Sequence, residues 1–73
     1  MTTLDNLYNA LTKKIQTANK DITREIVEDW VGSAGYKPQQ IAFMSVALSE
    51  LASGKYTAEE MVGDILQSAY LDN

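Results

Sequence analysis

Cysteine and histidine are absent from the 73 residues, and proline occurs once. Without cysteine no disulfide can brace a small fold, and without either residue the ordinary zinc sites are excluded. The same absences remove the usual nucleophile and the usual general base. Serines and threonines are plentiful, but nothing marks one as activated. No apolar run approaches the roughly 18 residues that a membrane span requires. The first residues, MTTLDNLYNA, lack a basic stretch followed by an apolar one, so no signal peptide is expected. Lack of cysteine agrees with a reducing compartment, and a cytoplasmic location is the expectation.

Cations are scarce beyond residue 37. The first 37 residues balance five basic side chains (Lys13, Lys14, Lys20, Arg24, Lys37) against five acidic ones. Residues 38–73 set Lys55 against Glu50, Glu59, Glu60, Asp64 and Asp72, so the whole net charge of −4 lies there. That half should repel phosphate backbones.

What is present is helical patterning. The length predicts a single helical domain over residues 1–73. A chain this short buries only about 60% of its unfolded surface, and one such core rarely supplies more than roughly 3–5 kcal/mol. Stability must come from regular helix packing, self-association or a partner. Leu4, Leu7, Leu11, Ile15 and Ala18 form one stripe of a first helix, with a capping start at Thr2 and Asp5 or at the competing Thr3. Asn19, Lys20 and Asp21 break it, and Asp21 is a good N-cap for a second helix carrying Ile22, Ile26, Val27, Trp30 and Val31 on one face.

The stretch GSAGYKP then stops that helix and starts another. Gly32 and Gly35 can each take a left-handed backbone, Lys37 before proline should be extended, and Pro38 suits a first helical turn. The third helix has a stripe of Ile41, Met44, Leu48 and Leu51, a second apolar face of Phe43, Val46 and Ala47, and a ribbon of small residues (Ala42, Ser45, Ser49, Ala52) between them. A helix so apolar around its circumference is either central or shared with another chain. Gly54 ends it. Thr57 and Glu60 have the spacing of a capping box, Tyr56 and Met61 that of a hydrophobic staple, and Met61, Val62, Ile65, Leu66 and Ala69 form the buried face of a fourth helix, with residues 70–73 fraying. The predicted fold is all-α, a compact bundle of four short helices near 3–18, 21–34, 38–53 and 57–70, the third central.

Candidate sites are few. The G-x-x-G of residues 32–35 has the form of a nucleic-acid clamp, but clamps of that kind pack on a sheet and no strand pattern occurs. Helices two and three have the layout of a helix-turn-helix, yet the third offers only Gln39 and Gln40 near its start and no Arg or Lys from Pro38 onward. Lys13, Lys14, Lys20 and Arg24 are read as solvated surface whose ligand, if any, is open. The carboxylate pairs Glu25/Asp29 and Glu60/Asp64 each share a helix face, without a glycine-centred calcium loop. Small acidic carrier proteins match in size and charge, but they need an attachment serine in an Asp-Ser-Leu context, which this sequence lacks.

The expectation is therefore a small acidic, non-enzymatic, protein-binding regulator, an inhibitor or adaptor that covers a surface of a protein partner, with a basic partner favoured. Glu59, Glu60 and Asp64 are the candidate docking carboxylates, and Tyr36 and Tyr56 at the two turns are candidate interface aromatics. No cofactor, metal or membrane partner is expected. The alternatives are a transcription regulator contacting DNA, which the charge disfavours, and a structural homo-oligomer subunit.

Overall fold

The computed structural model describes residues 2–71, and the side chains of residues 2–68. Its helices are α1 (Thr3–Gln16), α2 (Arg24–Gly32), α3 (Lys37–Ser53) and α4 (Ala58–Leu71), with no strand among the described residues. The radius of gyration is 11.4 Å, matching the roughly 11 Å of a compact folded chain of this length. Among the described residues no helix is long and apolar enough to cross a membrane. The reading that Ala69 is buried lies outside the described side chains; Tyr70 and Leu71, expected to fray, continue α4, and residues 72–73 lie outside the described residues.

Helices α1, α2 and α4 start where a side chain serves their free N–H groups, whereas α3, behind Tyr36, has no side-chain cap. Thr2 accepts from the Asp5 N–H at 3.1 Å and opens α1. In α4 the capping box is complete: the Glu60 N–H donates to Thr57 Oγ1 at 3.2 Å, and the Thr57 N–H donates back to Glu60 Oε1 at 3.1 Å. The start of α2 differs from the reading of Asp21 as its cap. Asn19 Oδ1 accepts the Asp21 N–H at 2.9 Å, which spends Asp21 in a side-chain turn. Thr23 caps instead, accepting from Ile26, so α2 begins at Arg24 rather than near residue 21. Ile22, expected on the helix, lies in the connection and is fully buried, its carbonyl held by Gln16 Nε2 at 2.8 Å. Ile22 and Val27 thus have the spacing of a hydrophobic staple around Thr23, and both are buried.

At the second turn Gly35 supplies the reversal, with φ +120°, whereas Gly32 is the last residue of α2 and keeps a negative φ. The extended residue is Tyr36 rather than Lys37: the Tyr36 carbonyl accepts from both Gln39 and Gln40, and Lys37 is already helical with Pro38 behind it. Gly54, at φ +79°, closes α3 as expected.

The core is built from Tyr8, Leu11 and Ile15 of α1, Val27 and Val31 of α2, Met44 and Ala47 of α3, and Met61, Val62 and Ile65 of α4. Both α1 and α2 pack against all the other helices, while α3 and α4 touch each other only weakly. The third helix is therefore less central than expected: α1 and α2 share the centre, and α3, packed mainly on α1, buries only Met44 and Ala47. An apolar circumference specifies how much surface wants covering, and not which neighbour covers it.

One polar network ties the first three helices. Arg24 donates to Asp5 at 2.7 Å, to Asn9 at 2.9 Å and to Glu28 at 3.1 Å, with its guanidinium 5.5 Å from the Tyr8 ring centroid. The Tyr8 hydroxyl donates to Gln40 Oε1 at 2.9 Å, and Gln40 Nε2 donates to the Gly35 carbonyl at 2.6 Å. The Arg24 bond, and after it the Thr2 hydroxyl, hold the Asp5 carboxyl below its ordinary range. Burial pushes the Tyr8 phenol up.

Candidate functional site

Between Lys37 and Glu50 the chain carries no charged residue. Gln39, Ala42, Ser45, Val46 and Ser49 of this segment are all exposed, so α3 turns an uncharged face to solvent. Phe43 and Val46 on that face remain 37% and 57% exposed. Phe43, on the second apolar face of the third helix, meets Trp30 of α2 edge-to-face, ring centroids 4.9 Å apart at 74°, and both rings line an open groove. The geometry is the one aromatic quadrupoles prefer.

The groove lies along α3, where α3 and α4 make only weak contact, and Trp30 near the end of α2 and Ala34 just after it also line it. Its volume is about 650 Å³, and its lining is mostly apolar. Tyr56, half-buried before the α4 cap, lines it together with Met61. Glu50 of α3 and Asp64 of α4 both belong to the lining, which contains no cation. Lysines 37 and 55 lie outside it. No family model, curated protein or solved structure matches this chain.

The five residues singled out from sequence separate in space. Tyr56 and Asp64 line the groove; Tyr36, 67% exposed at the second turn, does not. Glu59 and Glu60 stand on the exposed first turn of α4 away from the groove, and Glu60 is engaged in the capping box. Sequence reading missed Phe43, Val46 and Glu50 as surface features. The available signal was the apolar circumference of α3, read as that of a helix either central or shared with another chain, without singling out these residues.

The other candidates are settled locally. In the G-x-x-G segment the N–H groups of Ser33, Ala34 and Gly35 donate to Trp30, Val31 and Gly32 carbonyls. These amides are spent in ending α2 and are unavailable to a phosphate. The basic segment is not one patch of equivalent charges: Arg24 is bound to Asp5 and Glu28, while Lys13, Lys14 and Lys20 are exposed. Among the described residues no group of three or more acidic side chains is placed to hold a metal ion.

Proposed function

We propose that the chain is a non-enzymatic protein-binding regulator whose α3 face and adjoining groove cover a surface of a protein partner. The observation that carries this reading is the exposure of Val46 and Phe43 on a three-turn helix face without charge, beside a mostly apolar groove. Exposed aromatic and aliphatic side chains gathered on one face favour association over solvation. The remaining surface is amply charged, so the uncharged face is local rather than a property of the whole chain.

The DNA-contacting alternative has less support. Of the two glutamines at the start of α3, Gln40 is engaged at both ends of its amide, by Tyr8 and by the Gly35 carbonyl. Base reading needs a free amide edge. The homo-oligomer alternative draws on the same face as the leading reading.

The test is a parallel affinity capture from source cells with wild type and Val46→Arg. Val46 points to solvent, so the variant should keep its thermal stability. A protein captured stoichiometrically by wild type and lost with Val46→Arg supports the reading. Capture of nucleic acid instead, insensitive to Val46, would replace it with the DNA-contacting alternative.

A further inference from the structure

We infer that the occupant of the α3/α4 groove is an amphipathic helix with large apolar residues on one face and Lys or Arg on its flanks. This rests on the docking role given to the groove above and adds the chemistry of the partner.

Length points to a helix. Along α3 the lining runs from Gln39 to Glu50, roughly 16 Å at 1.5 Å per residue. Over that distance a partner helix projects side chains i, i+4 and i+7 onto a single face. Backbone chemistry points the same way. The groove's lining comes mostly from helices, α3 along its length and α2 and α4 beside it, whose interior N–H and C=O groups bond within their own helix. An extended peptide would lay its unpaired main chain against apolar side chains, whereas a helix satisfies its own. A small polar ligand fits less well, because the polar groups of the lining, on Trp30, Gln39, Glu50, Tyr56 and Asp64, all lie on exposed or half-buried residues and none on a buried one.

Charge selects among helices. Glu50 and Asp64 come from different walls, and no cation stands in the lining to neutralise them. A helix bearing Lys or Arg on both flanks pairs with each wall while its apolar ridge fills the floor beside Trp30 and Met61. One with acidic flanks is repelled from both. A second copy docking through α3 would bring the same charge-free face and the same two carboxylates, leaving all of them without counter-charge.

The experiment is a selection from a displayed library of helical peptides of about 16 residues, roughly four turns, with surface positions randomised. Wild type, Glu50→Lys/Asp64→Lys and Val46→Arg serve as baits, each first shown by circular dichroism melting to be folded. Wild type is expected to enrich peptides with apolar residues at i, i+4 and i+7 flanked by Lys or Arg. The double reversal should prefer acidic flanks and weaken the wild-type winners by at least about tenfold, and Val46→Arg should enrich neither. Enrichment that Val46→Arg abolishes but that shows no charge preference overturns the cationic helix and leaves the docking role standing. Absence of any Val46-dependent enrichment overturns both. A wild-type dimer in sedimentation that Val46→Arg dissociates assigns the groove to a second copy and also overturns the inference.

Discussion

Gly35 and Gly32 stand three residues apart and do different work. Gly35 has φ +120°, and a Cβ there would collide with the side-chain oxygen of Gln39. Gln39 can swing away, but the backbone angle remains unfavourable for any other residue. Gly35→Ala should therefore cost on the order of 1 kcal/mol or more. Gly32 is helical with nothing near its missing Cβ, so Gly32→Ala should gain about 0.4–1 kcal/mol. Opposite shifts of the two melting temperatures would confirm the division. The pair looks symmetrical in sequence, because both glycines can end a helix and only the completed turn shows which one reverses the chain. Thr12 is a second residue with a readable consequence. Its hydroxyl is buried without a hydrogen-bond partner. Thr12→Val keeps the shape and removes the unpaired group, so urea unfolding should show a gain of about 1 kcal/mol.

At the scale of the element, α4 has a strong start and a weak middle. Its capping box organises the first turn, while Gly63 in its interior is exposed with open space at the Cβ position. Gly63→Ala should stabilise the fold by about 0.5–1 kcal/mol, read as a higher urea midpoint at unchanged slope. The helix start at Thr57 and the stop at Gly54 were legible because each has a single good candidate with a local mechanism; at α1, Thr2 prevails over the competing Thr3. The α1–α2 connection was less so: Asp21 and Thr23 are both competent caps two residues apart, and it is Thr23 that accepts from Ile26 while Asp21 lies in the turn closed by Asn19. Helix α3 was legible as a helix but not in its place. Its stripe of Ile41, Met44, Leu48 and Leu51 meets the core only partly, with Met44 alone of the four fully buried. Phe43 and Val46 were placed on a second apolar face without a stated neighbour, because periodicity registers an apolar face and carries no record of what covers it. Of the groove, only Tyr56 and Asp64 were marked in advance as partner-binding residues, since the site is assembled from α2, α3, the last turn and α4 and exists only once they are folded together.

At the scale of the molecule, a balanced N-terminal half is tied together by Arg24, and the net negative charge lies in the half that supplies most of the groove's lining. The Arg24 network makes a pH prediction. Asp5 has a folded-state pKa below its unfolded value, with the Arg24 bond as the main cause. Its contribution is complete above the ordinary carboxylate value of about 3.9 and disappears as pH falls through the lowered folded value. Melting temperature should thus hold steady across neutral pH and drop in the acid range, and Asp5→Asn should be less stable at neutral pH with a shallower acid limb. Burial raises the Tyr8 phenol, so the Tyr8–Gln40 bond is kept at neutral pH and weakens only as pH rises past the ordinary tyrosine value.

The central claim, that the α3 face and the groove dock a protein partner, is tested most directly by mapping that partner's footprint. Amide and indole resonances of the isotope-labelled chain would be followed as the captured partner, or the tightest selected helix, is titrated in. The account predicts shifts at the Trp30 indole and along residues 42–50 and 61–64, with Lys13, Lys14 and Lys20 unmoved. A footprint centred on those lysines, with Trp30, Phe43 and Val46 unchanged, would contradict it.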